Sequence, residues 1–114
     1  MKENVIVTKS LDFAVRVVNL YKYLCSEKQE FVMSKQMLRS GTSVGANVRE
    51  ATQGQSKLDF TAKMSIALKE TSETGYWLEL LHKTQYLSSE QYQSIATDYE
   101  EIMKLLTSIV KNSK

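Results

Sequence analysis

Glu79 and His82 spell Glu-x-x-His, and on a helix the two side chains lie one turn apart on one face, as metal ligands in helical bundles do. A di-iron carboxylate site in that architecture needs two such motifs and two further glutamates, whereas His82 is the sole histidine of the chain. No metal enzyme is therefore expected. Cys25, also alone of its type, recurs with Leu11, Ala14, Val18 and Tyr21 at apolar helical spacing, where a thiol serves as a small hydrophobe rather than a nucleophile paired with His82. The glycines of GTSVG, residues 41–45, lie inside helical periodicity and no Lys-Ser or Lys-Thr follows them, so they do not make a phosphate loop. No catalytic constellation, cofactor or small-molecule substrate is expected.

What remains for chemistry is concentrated between Ser34 and Ser56, SKQMLRSGTSVGANVREATQGQS. Set on a helix of about 3.6 residues per turn, Met37, Gly41, Val44, Val48 and Ala51 form an apolar seam. Ser40, Ser43, Asn47 and Glu50 line up beside it. If this helix packs against the following one, that stripe meets Glu70, Glu73 and Trp77, and the reading expected is a buried hydrogen-bonded network that sets register; a ligand site is the alternative. Lys35, Arg39 and Arg49 lie opposite the seam, with Thr42, Ala46 and Gln53 between them, and Lys9, Arg16 and Lys57 join them if neighbouring helices bring them near. Such a face can contact nucleic-acid phosphates, or it is simply a solvated surface. Gly41 and Gly45 permit close approach of another backbone.

The elements that must position these residues read as all-helical. There is no proline and there are only four glycines, so the strongest helix breakers are missing. Helices are expected over about residues 8–27, 35–53, 57–85 and 89–111. Two apolar seams run along the first: Leu11, Ala14, Val18, Tyr21 and Cys25, and beside them Phe13, Val17, Leu20 and Leu24. The second seam of such a pair either buries against another subunit or sinks more deeply into its own core. Residues 28–33 form the first connection, with Ser34 as the expected cap of the second helix and Gly54 as its stop. Ser56 with Asp59, and Ser88 with Gln91, supply capping signals for the third and fourth helices. Phe60, Met64, Ala67, Thr71, Thr74, Leu78 and Leu81 line the third; Tyr92, Ile95, Tyr99, Ile102, Leu106 and Ile109 line the fourth. Short connections favour antiparallel neighbours, hence one up-down-up-down four-helix bundle spanning residues 1–114.

Composition agrees with a single folded domain of 114 residues, 42% apolar and 25% charged. The formal net charge of +2 is too small for a diffuse polycation. Residues 1–57 hold nine Lys or Arg against five Asp or Glu, a balance of +4, and residues 58–114 hold six against eight, a balance of −2. No apolar run reaches the 18 or so residues of a membrane span, and the opening MKENVIVTKS lacks a signal-peptide core. A cytoplasmic protein without membrane contact is expected.

QMLRSGTSVGANVREA, followed by SKLDFTAKMSIALKETSETGYWLELL and preceded by SLDFAVRVVNLYKYL, resembles the four-helix-bundle proteins encoded in intervening sequences of bacterial 23S rRNA genes. The residues that carry the resemblance are Arg39, Ser40, Ser43, Gly45, Asn47 and Glu50, then the stretch from Ser65 to Leu68, Glu70, Glu73 and Trp77. It implies an antiparallel bundle that assembles into a ring-like homo-oligomer, a pentamer, with a link to ribosomal RNA. Similar bundles serve as accessory subunits of diversity-generating retroelements, where they bind the reverse transcriptase and nucleic acid. Arg39, as a motif residue, can instead pair with an acidic group at a helix or subunit interface. Two function classes follow: an RNA- or nucleoprotein-associated module acting through the basic face, and an oligomeric protein-binding scaffold or reverse-transcriptase accessory subunit without RNA specificity of its own.

Overall fold

With no proline to interrupt them, the apolar stripes run as long helices separated by connections of four or five residues. The computed structural model describes the backbone of residues 2–114 and the side chains of residues 4–114. It contains α1 (Lys2–Lys28), α2 (Met33–Thr52), α3 (Lys57–Lys83) and α4 (Ser89–Ser113). Each helix packs on the two that flank it in a square: α1 on α2 and α4, α3 on α2 and α4, with no close backbone approach across either diagonal among the described residues. Neighbours run antiparallel. Along α1 and α2, Val17 meets Gly41 while Ser10 meets Gly45; along α3 and α4, Gly75 meets Tyr99 while Thr61 meets Ser113. The bundle measures 44 × 20 × 19 Å.

The core is built from the seams the spacing predicts on α2, α3 and α4. Met37, Val44 and Val48 are fully buried, as are Met64, Ala67, Leu81 and Leu106. On α1 only one of the two seams turns inward. Phe13, Val17 and Leu24 are buried, whereas Leu11 is 52% exposed and Ala14, Val18, Tyr21 and Cys25 are only half-buried. The helix also starts six residues earlier than its expected start at residue 8, because Ile6 supplies one more fully buried side chain about two turns before Phe13.

Two boundaries differ from expectation for local reasons. Ser34 does not cap α2; the cap position falls on Val32, which offers no side-chain acceptor. The buried carboxylate of Glu30 does that work, accepting the backbone N–H of Val32 at 3.2 Å, of Met33 at 3.1 Å and of Ser34 at 2.7 Å. Ser34 Oγ donates back to the Glu30 carbonyl at 2.7 Å. Three of the donors that a helix start leaves without partners are thereby satisfied by one side chain. Burial pushes the Glu30 carboxyl toward its neutral form, but the backbone N–H groups outweigh it and hold the group below the usual range.

At its other end α3 stops at Lys83, two residues short of the expected Gln85. Gln85 takes a left-handed φ of 71°, and the Tyr86 and Gln85 N–H groups return to the Leu81 and His82 carbonyls at 2.9 and 3.0 Å. That is the double-bonded helix stop usually made with glycine. The caps read from sequence at Ser56, which accepts Asp59 N–H, and at Ser88 with Gln91, a reciprocal capping box, are in place.

Glycine matters to packing at three points, and at Gly45 the neighbour is backbone as the sequence suggested, a Cβ there standing 3.3 Å from the Ser10 carbonyl oxygen. A Cβ on Gly41 would stand 2.8 Å from Val17 Cγ1, so this residue admits a side chain rather than the backbone the sequence suggested. Gly75, which no sequence pattern singled out, admits the ring of Tyr99, whose atoms occupy the space a Cβ would need.

Candidate functional site

The motif residues of α2 and α3 meet along the seam between those helices, though not as the buried network that their stripe suggested. Ser40 is the one member fully withdrawn from solvent, and its hydroxyl meets that of Thr74 at 2.8 Å. Ser43 Oγ donates to its own helix at the Arg39 carbonyl at 2.7 Å, and Asn47 Nδ2 to the Ser43 carbonyl at 2.8 Å. Both are half-buried. Glu50 is exposed and pairs with Lys63 at 2.9 Å. Helical geometry explains the outcome: the stripe spans from the core edge at Ser40 to the open surface at Glu50, so one row of residues crosses from dry to wet.

Glu70, Glu73 and Trp77 do meet α2, through Arg39. The Arg39 guanidinium donates to Glu70 Oε2 at 3.3 Å and to Glu73 Oε2, which also accepts Trp77 Nε1–H at 3.1 Å. The Trp77 indole and the Arg39 guanidinium together hold the Glu73 carboxyl below its usual range. Tyr76 stands edge-on to Trp77, ring centres 5.0 Å apart. Arg39 thus belongs to a structural clamp between α2 and α3, and it is subtracted from the basic face.

Lys9 and Arg16 are subtracted as well. Lys9 pairs with Glu101 of α4, an ion pair that favours its charged form. Arg16 donates to Asp98 Oδ2 at 2.6 Å, to Ser94 O at 3.0 Å and to Ser94 Oγ at 2.6 Å. Both lie on the α1–α4 side of the bundle, away from α2. Of the six cations, Lys35, Arg49 and Lys57 alone have no carboxylate within 4.0 Å among the described residues. Lys35 opens α2 and Arg49 ends it, roughly 20 Å apart at 1.5 Å per residue. Arg49 and Lys57 flank the α2–α3 connection at one end of the bundle. Arg49 also stands on the rim of a groove between α1 and α2 lined by Leu11, Ala14, Thr42, Ala46 and Gln53.

The remaining titratable motifs are scattered. His82 stacks on Tyr92 with ring centres 4.5 Å apart and planes 7° from parallel, and Nε2 lies 3.4 Å from Ser89 Oγ. No three His, Cys, Asp or Glu side chains gather in a metal-ligating group among the described residues. No helix among them is long and apolar enough to cross a membrane.

Residues 2–108 match the family model described as 23S rRNA-intervening sequence protein. The chain belongs to that family. A crystal structure of a protein of unknown function from the S23 ribosomal protein family of Bacteroides thetaiotaomicron is similar to it at 65% identity and a TM-score of 0.95, over 97% of this chain and 99% of that one. No curated protein matches. Within this member of the 23S rRNA-intervening sequence family, three of the residues that carry the sequence resemblance bond across or along the α2–α3 seam: Arg39 to Glu70 and Glu73, Ser40 to Thr74, and Trp77 to Glu73. Sequence reasoning missed Glu30, Thr74, Lys63 and Gly75 as partners. Thr74, Lys63 and Gly75 each act on a residue of another helix, which no spacing within one helix reports, and Glu30 acts two to four residues downstream from outside the helix that it starts.

Proposed function

We propose that this member of the 23S rRNA-intervening sequence family is a non-catalytic, self-assembling helical module that associates with RNA or a nucleoprotein. The observation that carries the reading is the set of cations left without carboxylates among the described residues, Lys35 and Arg49 on α2 and Lys57 at the start of α3, in a fold whose family is described by an rRNA-borne gene. Three cations on one chain hold a phosphate backbone weakly; repetition in a homo-oligomer, a pentamer by family resemblance, would raise the affinity by making binding multivalent. The protein works in the cytoplasm in this reading.

The test is binding of fluorescent single-stranded RNA at low salt. Arg49→Ala combined with Lys57→Ala should weaken binding uniformly across sequences and flatten the salt dependence by about 1.4 in slope, roughly 0.7 per phosphate contact on a single strand. Arg39→Ala should leave RNA affinity unchanged. Native protein without detectable binding at low salt would sink the nucleic-acid reading. A second reading, an oligomeric scaffold or reverse-transcriptase accessory subunit, is favoured by the exposed apolar residues of α1, which suit a protein partner better than RNA. In that case a protein partner is captured with the RNA site mutated.

A further inference from the structure

Charge on α4 is sorted along its length. Residues 89–101 hold Glu90, Asp98, Glu100 and Glu101 and no lysine or arginine, whereas residues 102–114 hold Lys104, Lys111 and Lys114 and no aspartate or glutamate. A helix dipole favours acid at the start and base at the end, but only within the first and last turns. Lys111 lies in the last turn, while Lys104 stands about 13 Å before the end of the helix at 1.5 Å per residue, so the dipole does not account for it.

Lys104 and Lys111 are two turns apart and share one exposed face, with Thr107 and Ser108 on the turn between them. These four side chains line a shallow groove with Met103 and Asn112, and neither a carboxylate nor an aromatic ring lines it. Neither lysine has a carboxylate within 4.0 Å among the described residues. Packing extends this strip to the start of α3. Thr61 Oγ1 donates to Ser113 Oγ at 3.0 Å, and Lys57 lies one turn earlier on the same row of α3, so it stands over the end of α4. Asp59, two residues further, is turned by about 200° around the helix and faces the other way. Arg49 stands across the α2–α3 connection from Lys57. In order, Arg49, Lys57, Lys111 and Lys104 trace a path that leaves α2, crosses the end of the bundle and turns along α4.

We infer that this path holds the phosphodiester backbone of RNA and that the α4 strip supplies half of its cations. The inference rests on the RNA part of the proposed function and extends it to a helix on the far diagonal from α2. Lysines interspersed with hydroxyl and amide groups are the partners that phosphate oxygens take. With no aromatic ring for a base to stack on, the strip contacts the backbone without regard to sequence. It suits a protein partner poorly: lysine is depleted at protein interfaces, and among the described residues every exposed large apolar side chain lies outside α4.

Both lysines are exposed, so Lys104→Gln combined with Lys111→Gln should leave the fold intact, as far-UV circular dichroism and a thermal melt will report. In titrations of a fluorescent single-stranded RNA, this variant should lose about 1.4 from the slope of log affinity against log salt, roughly 0.7 per phosphate contact. Adding Arg49→Ala and Lys57→Ala should double that loss to about 2.8. In a Cys25→Ser background, a photocrosslinker attached at Thr107→Cys should capture the RNA. One attached at Gln93→Cys, about 21 Å away on the acidic half of the same helix, should not. A glutamine variant with native affinity and native salt slope overturns the α4 strip alone, and weakened binding in Arg49→Ala with Lys57→Ala then leaves the RNA reading standing. Capture from residue 93 as efficient as from residue 107 also overturns the strip. A lowered melting temperature with native RNA binding assigns the two lysines to helix stability and overturns it as well. Native protein that binds no RNA at low salt overturns the RNA reading and this path together.

Discussion

Removing the Glu30 carboxylate tests whether one acidic side chain, outside any helix, starts α2. In Glu30→Ala three backbone N–H groups, of Val32, Met33 and Ser34, lose the acceptor that holds them at 3.2, 3.1 and 2.7 Å. Loss of a helix cap costs about 0.5–2 kcal/mol. The Ser34 N–H is buried, and a buried donor left unsatisfied costs about 1–3 kcal/mol. These overlap, since they count some of the same bonds, so the expected loss is about 2–3 kcal/mol. For a domain of this size that lowers Tm by roughly 6–15 °C. Glu30→Gln keeps one carbonyl oxygen of similar reach but forfeits the negative charge at a helix N-terminus, and should fall between the two. The pH dependence has a definite sign. The folded carboxyl titrates below its unfolded value of about 4.3, so its contribution is fully present above that pH and is lost as pH falls through the lower folded value. The stability gap between native protein and Glu30→Gln, measured by urea unfolding from pH 7 to pH 3, should therefore stay constant down to about pH 4.5 and narrow below it. Equal stability of native and Glu30→Ala at pH 7, or a gap that widens in acid, would refute the capping argument.

Gly75→Ala should cost on the order of 1–3 kcal/mol through overpacking, because the new methyl takes space that the Tyr99 ring occupies; adding Tyr99→Ala should make the two changes strongly non-additive in thermal melts, and simple additivity would disprove the contact. Ser40→Ala and Thr74→Val each remove one partner of a buried hydroxyl pair, so each should destabilise by about 1 kcal/mol while the double variant loses less than the sum, read from a double-mutant cycle in chemical denaturation. Arg39→Ala should change stability by about 1 kcal/mol or less, since this guanidinium is half exposed and its ion pairs are screened, and its melting curve at high salt should converge on the native one.

Much of the architecture is legible before any coordinates. The apolar spacing on α2, α3 and α4 names most of the residues that are buried there, Phe60, Tyr92 and Tyr99 being half-buried, and the capping signals at Ser56 and Ser88 place two helix starts. These succeed because periodicity and capping are local: a helix buries the row its own spacing creates, and a cap bonds a donor three residues away. The Ser34 cap failed where a competing acceptor, Glu30, lay four residues upstream and was itself buried by the arriving helices.

By itself the sequence determined four helices, their order, and which side of three of them is dry. Only the tertiary structure decided which of the two α1 seams is core and which is only partly covered, and which cations have no carboxylate beside them. Arg39, Lys9 and Arg16 look like Arg49 in any list of basic residues. They differ because packing brings Glu70 and Glu73, Glu101, and Asp98 within ion-pairing reach of the first three and brings none to Arg49. Charge in a sequence is a property of one residue, whereas a neutralised charge is a property of two residues from distant segments, and the fold alone chooses the second.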